Sequence, residues 1–95
     1  MIIERARLTI RPELGAEFET IFAHARAIFL RARGCAGVHF ERVVETPEIY
    51  VLVVQWGTIE DHMVHFRASD DFTRWRELAG PYFAQAPEVE HLEVC

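Results

Sequence analysis

The chain has 95 residues, 51% of them hydrophobic and 12% aromatic, with a formal net charge of -5 in which all ten basic residues are arginine. That length holds one domain (residues 1-95) with one core, and that composition lies well away from disordered chains. The acidic balance with scattered arginines speaks against nucleic acid and against an anionic membrane surface, both of which need a clustered positive field.

The first residues alternate, with Ile2, Ala6, Leu8 and Ile10 on one side and Arg5, Arg7 and Thr9 on the other, which predicts a strand over 2-10. Charge arrives too early here for a secretory leader. Pro12 fits the first position of a helix. From Leu14 the apolar residues Phe18, Ile21, Phe22, Ala25, Ile28, Phe29 and Ala32 form one stripe of a long helix, with acids early, arginines late and Gly34 as its stop. A second strand is expected over 36-45, with Val38, Phe40 and Val44 on one face and His39, Glu41 and Val43 on the other. Thr46-Pro47-Glu48 makes a turn, and a third strand runs from Ile49 to Trp56. That strand is apolar on both faces, so it belongs inside a sheet covered above and below. Its apolar run, Ile49 to Val54, is far shorter than the roughly 20 residues that span a bilayer. A cytoplasmic protein without a membrane partner is therefore expected.

Thr58 and Asp61 read as a capping-box start to a helix with Ile59, Met63 and Phe66 on one side. Ser69 and Asp70 offer a second N-cap, opening a helix that carries Phe72, Trp75 and Ala79 in line. Gly80-Pro81 ends it, and after Pro87 a last strand places Leu92 and Val94 on one face, Val89 and His91 on the other. Cys35 and Cys95 have neither metal spacing nor the density of a disulfide scaffold, and are read as free thiols.

Strand, helix, strand, strand, broken helix, strand is the ferredoxin-like βαββαβ order, an α+β fold with a four-stranded antiparallel sheet. Helices on one face leave the other bare. In so short a chain only a second copy can cover it, so a homodimer joined sheet to sheet is expected.

The string Tyr50-Val51-Leu52-Val53-Val54-Gln55-Trp56, followed by Glu60, His62, His65 and Phe66, then Ser69, Phe72 and Trp75, then Pro81-Tyr82-Phe83 and Pro87, resembles the antibiotic-biosynthesis monooxygenase family of dimeric α+β barrels. The resemblance implies a pocket between sheet and helices, chemistry without metal or flavin, and an acidic aromatic that loses a proton before its anion reacts with oxygen. Such a pocket needs apolar walls, a proton acceptor near neutral pH and a donor for the developing oxyanion.

The candidate catalytic residues are His62 and His65, three apart on one helix, and Arg76. His62 lies at the edge of the apolar stripe and His65 farther toward solvent, which makes His62 the better base. Arg76 is the oxyanion candidate, with a surface ion pair as its ordinary alternative. Trp56, Tyr50, Phe66, Phe72, Trp75 and His39 are the candidate binding surface for a small aromatic ligand, each with a plain core or structural role besides. His39 and His91 are open as to which sheet face they enter. Two histidines without a third ligand give no metal site. The chain contains no asparagine, whereas quinol-oxidising relatives commonly place one near the reacting oxygen and the haem-degrading branch requires one. The missing asparagine favours a binding module, whereas the aromatic pocket with two nearby histidines favours the expected function, a cofactor-independent monooxygenase of a small aromatic, quinol or polyketide-like substrate. The alternatives are a non-catalytic dimeric binding or stress-response module and a non-oxidative isomerase or cyclase on the same barrel.

Overall fold

In the computed structural model, which describes all 95 residues, β1 (Ile2–Thr9) pairs antiparallel with β3 (Ile49–Trp56) along its whole length, Ile2 opposite Trp56 and Thr9 opposite Ile49. β2 (Cys35–Arg42) joins the other edge of β3, and β4 (Glu88–Glu93) joins β1, so the strands lie in the order β2-β3-β1-β4. The strand that is apolar on both faces is thus an interior one, as burial on two sides requires.

Cross-strand partners share a face, and the register therefore sorts the sheet. Glu4, Ala6 and Leu8 of β1 share a face with Tyr50, Leu52, Val54, Val38, Phe40, Val89 and His91. Helices cover this face, and its β1 and β3 residues are buried almost without exception. On the opposite, outer face lie Ile3, Val51, Val53 and Leu92, flanked by Arg5, Arg7, His39 and Glu90.

The long helix expected after Pro12 is two helices. α1 (Gly15–Glu19) ends at Thr20, whose hydroxyl turns back onto the Glu17 carbonyl at 2.5 Å, and α2 (Phe22–Leu30) begins after Ile21. A hydroxyl that competes for a backbone carbonyl offers the chain a way out of the helix. Pro12 lies in the turn before α1, where Glu13 takes a positive φ of 68°. The apolar stripe survives the break, because Phe18, Ile21, Ala25, Ile28 and Phe29 are all buried. β2 ends at Arg42, and Val44 stands in the following turn, fully in solvent and off the core face expected for it.

The largest departure follows β3. Asp61–Phe66 is a π-helical turn, with the Arg67 amide reaching back five residues to the His62 carbonyl. The extra residue per turn rotates Ile59 and Met63 outward to about 40% exposure and brings His62 and Phe66 inward. α3 (Asp70–Ala79) then starts at Ser69, whose Oγ accepts from the Phe72 amide, and a short 3-10 turn, Gly80–Tyr82, ends it. Asp71 in its first turn takes a two-pronged contact from Arg31 at 2.8 and 2.7 Å and a further one from Arg74, fastening α3 to the end of α2. These guanidiniums hold the Asp71 carboxyl down at about 2.

Candidate active site

With α3 fastened to α2, the β1-β4 half of the inner face is roofed only in part. A cleft of about 840 Å³ opens there, within the size range of small-molecule sites. Ala6, Leu8 and Leu52 are among its floor residues, and Phe72, Trp75 and Phe83 stand along its walls. Alternate residues of a strand lie about 7 Å apart, so Glu4, Ala6 and Leu8 run along the cleft from one end toward the other. Glu4 and His62 line the first end; Arg11 lies toward the second; Arg67 and Arg76 also line the cleft.

Glu4 is the residue that the sequence reading passed over. Its carboxylate stands in the core-facing register of β1 and is 4% exposed. Its Oε1 accepts a hydrogen bond from the Trp56 indole Nε1 at 3.0 Å and lies 3.3 Å from His62 Nε2. His62 is 3% exposed, stacks on the Trp56 ring at 5.4 Å and 11°, and meets His91 Nε2 through its own Nδ1 at 2.8 Å. The result is a line of three titratable groups, Glu4, His62 and His91, leading from the cleft to half-buried His91 on the edge strand. No buried side-chain nitrogen or oxygen is left without a partner.

Burial dominates the electrostatics of this line. It pushes the Glu4 carboxyl up to about 7, against the opposing pull of the Trp56 hydrogen bond and the Arg67 charge. Burial likewise lowers His62 to about 4, helped by His91 and Arg67. Desolvation penalises the charged form of each, so the pair rests with His62 neutral and Glu4 poised between acid and carboxylate at neutral pH. A carboxylate so poised can accept a proton from a weak acid and give it back. Because His62 uses its two ring nitrogens in opposite directions, the three groups form a chain rather than a convergent set. No cluster of three or more His, Cys, Asp or Glu side chains is disposed to hold a metal ion.

Of the residues singled out from sequence, His62, Arg76, Phe72 and Trp75 line the cleft. Trp56 is wholly buried behind Glu4, and Phe66 packs between Trp56, Phe29 and Phe72. Tyr50 lies elsewhere, its hydroxyl donating to Glu19 Oε2 at 2.5 Å beside α1. His39 is exposed on the outer face, 3.1 Å from Glu41, and His65 is exposed on the π turn. His91, left open between faces, lies on the inner one.

The fold is that of an α+β domain in which a line of three titratable side chains adjoins a cleft with aromatic walls. The chain belongs to the antibiotic biosynthesis monooxygenase family, whose model matches residues 1–78. It is 33% identical over 93 residues to the Bacillus subtilis protein YczJ, covering 98% of each chain. Among solved structures, a Bordetella bronchiseptica protein placed in the same family is 47% identical, with a TM-score of 0.96 over 99% of this chain and 96% of that one. The cofactor-independent oxygenase SnoaB of Streptomyces nogalater shares the fold at 20% identity and a TM-score of 0.81, with 98% and 91% of the two chains covered.

Proposed function

We propose that the protein is a cofactor-independent monooxygenase of a small, acidic, electron-rich aromatic such as an anthrone or quinol, with Glu4 as the proton acceptor. The observation that carries this reading is the Glu4–His62–His91 line at the end of an aromatic-walled cleft. Family membership supports it, and so does the shared fold with a cofactor-independent oxygenase.

With an anthrone, the activated C–H gives its proton to the Glu4 carboxylate. The carbanion passes one electron to O2, and the two radicals join in a C–O bond to give a peroxide anion. That anion takes a proton back from Glu4, and loss of water leaves the ring carbon as a carbonyl. One oxygen atom enters the product and the other leaves as water with both hydrogens of the former CH2. His62 holds Glu4 in place and, as a neutral imidazole with His91 behind it, can exchange the proton with solvent by switching tautomer.

The outer sheet face supports a second part of this reading, that the protein works as a homodimer. Ile3, Val53 and Leu92 stand on a face that no helix of the chain covers, and Leu92 is 43% exposed. A second copy placed sheet to sheet would bury them.

The test is oxygen uptake with dithranol, comparing wild type with Glu4→Gln and His62→Gln. A positioned base contributes roughly 100-fold or more. Glu4→Gln should therefore lower the enzyme-dependent rate by at least about that factor, and His62→Gln by less. Wild-type uptake no faster than the protein-free reaction would refute the oxygenase assignment and leave a binding module.

A further inference from the structure

We propose that the cleft is built for an aromatic bearing a carboxylate-class anionic substituent, which Arg67 and Arg76 hold beside Phe72. The proposal names the substrate class of the site described above and rests on that reading for what becomes of the ligand, though not for how it is bound.

The pairing of the arginines carries it. Arg5 meets Glu90, Arg31 and Arg74 share Asp71, Arg33 meets Asp61 and Arg42 meets Glu19. The five without an ion pair are Arg7, Arg11, Arg26, Arg67 and Arg76, and three of these, Arg11, Arg67 and Arg76, line this one cleft. The same cleft contains a single carboxylate, Glu4, so even with Glu4 ionised it has an excess of two positive charges within a chain of net charge -5. A cleft with low-dielectric walls and one sign of charge concentrates ligands of the opposite sign.

Two of these guanidiniums also lie over one aromatic ring. The Arg67 and Arg76 Cζ atoms lie 5.7 and 5.8 Å from the centroid of the Phe72 ring. An arginine resting on an aromatic ring keeps its N–H edges available for an acceptor, and the planar fork matches a carboxylate. Arg11 has part of its donor set engaged, with Nε on the Pro81 carbonyl at 3.3 Å. The apolar floor suits an aromatic body whose reacting carbon reaches toward Glu4. The charged substituent then stays at the rim, where it costs little desolvation.

Calorimetric titration of the full chain with 1-hydroxy-2-naphthoate and 1-naphthol tests this, since the two probes differ by one carboxylate. At low salt the naphthoate should bind on the order of tenfold more tightly, as one charge-assisted contact allows. The Arg67→Gln/Arg76→Gln double variant should abolish that preference and leave naphthol affinity within about twofold, and lysine at both positions should restore part of it. Should the double variant fail to fold, salt decides: at about 0.5 M, where the screening length is a few ångströms, naphthoate binding must weaken and naphthol binding must not. Equal affinities, no naphthoate binding, or a preference that survives both the double variant and high salt would overturn the proposal. Oxygen uptake separates the two readings. Preference without turnover removes the oxygenase and keeps the anionic ligand, whereas anthrone turnover without preference does the reverse.

Discussion

Glu4 and His62 exchange their ordinary protonation states on folding, and the signs can be followed through. The Glu4 carboxyl, raised from 4.5 to about 7, binds a proton more readily in the folded chain, so its contribution is fully present below pH 4.5 and lost as pH rises through 7. The His62 imidazole, lowered from 6.5 to about 4, does the opposite: its contribution is present above pH 6.5 and lost as pH falls through 4. Over the shared interval the two cancel, because the one proton that sits on histidine in the unfolded chain sits on glutamate in the folded one. Each variant alone should uncover the remaining slope. Relative to wild type, Glu4→Gln should gain stability between pH 4.5 and 7, and His62→Gln should lose it between pH 4 and 6.5, each by up to about 3 kcal/mol. Denaturant melts across that range provide the check; parallel profiles for all three proteins would mean that the two side chains do not hold these states. Trp56→Phe removes the indole donor that holds Glu4 down. It should shift the pH at which oxygen uptake reaches half its maximum to a higher value, measurable as a displaced rate profile with dithranol.

At the scale of elements, the position of His62 depends on contacts at the foot of the π turn. Thr58 and Asp61 form the reciprocal cap that their spacing suggests, Thr58 N on Asp61 Oδ2 and Asp61 N on Thr58 Oγ1, both at 3.1 Å. The same Asp61 carboxylate fills the space over Gly34, which adopts a positive φ of 80° and whose carbonyl accepts from the Gly57 amide at 2.8 Å. A Cβ at Gly34 would collide with Asp61 Oδ2. Gly34→Ala should therefore cost about 1–3 kcal/mol through backbone strain and displacement of the cap, and should slow oxygen uptake by misplacing His62. Thermal unfolding with and without Asp61→Ala distinguishes the causes, since a cost due to crowding by the carboxylate should shrink when that group is absent, whereas a cost due to backbone strain should not.

This region also marks how far the sequence could be read. The cap, the Ser69 cap and the full extent of β3 were legible because each rests on residues whose chemistry acts locally, whereas α2 ends at Leu30, well before the Gly34 expected to stop it. The π turn was not legible, since nothing in Asp61-His62-Met63-Val64-His65-Phe66 distinguishes a five-residue hydrogen bond from a four-residue one. A 3.6-residue stripe through Ile59 and Met63 therefore pointed the wrong residues inward. The break at Thr20 was hidden for the opposite reason, because both helices keep the same buried stripe. Glu4 was readable in principle. It alternates in step with Ile2, Ala6 and Leu8, and an acid in a core-facing register needs a partner such as the Trp56 indole or the His62 ring. Arg11 and Arg67 become candidates only once tertiary structure gathers them around one cleft.

For the whole molecule, the sheet organises both readings offered here. Its inner face divides between a packed half under α2 and the open half that forms the cleft, while its outer face exposes apolar residues that none of these helices covers. Light scattering at micromolar concentration should report a particle of twice the 11.0 kDa chain mass; a lone chain would overturn the sheet-to-sheet pairing and leave the cleft unaffected, because every cleft residue named above comes from a single chain. No helix is long and apolar enough to cross a membrane. If a buried carboxylate at the end of the cleft takes the proton that opens a substrate to oxygen, the pH profile of oxygen uptake carries its signature. Oxygen uptake with dithranol should rise in the wild type as Glu4 ionises near pH 7, and the Glu4→Gln profile should be low and without that step. An identical rise in both proteins would show that Glu4 is not the base.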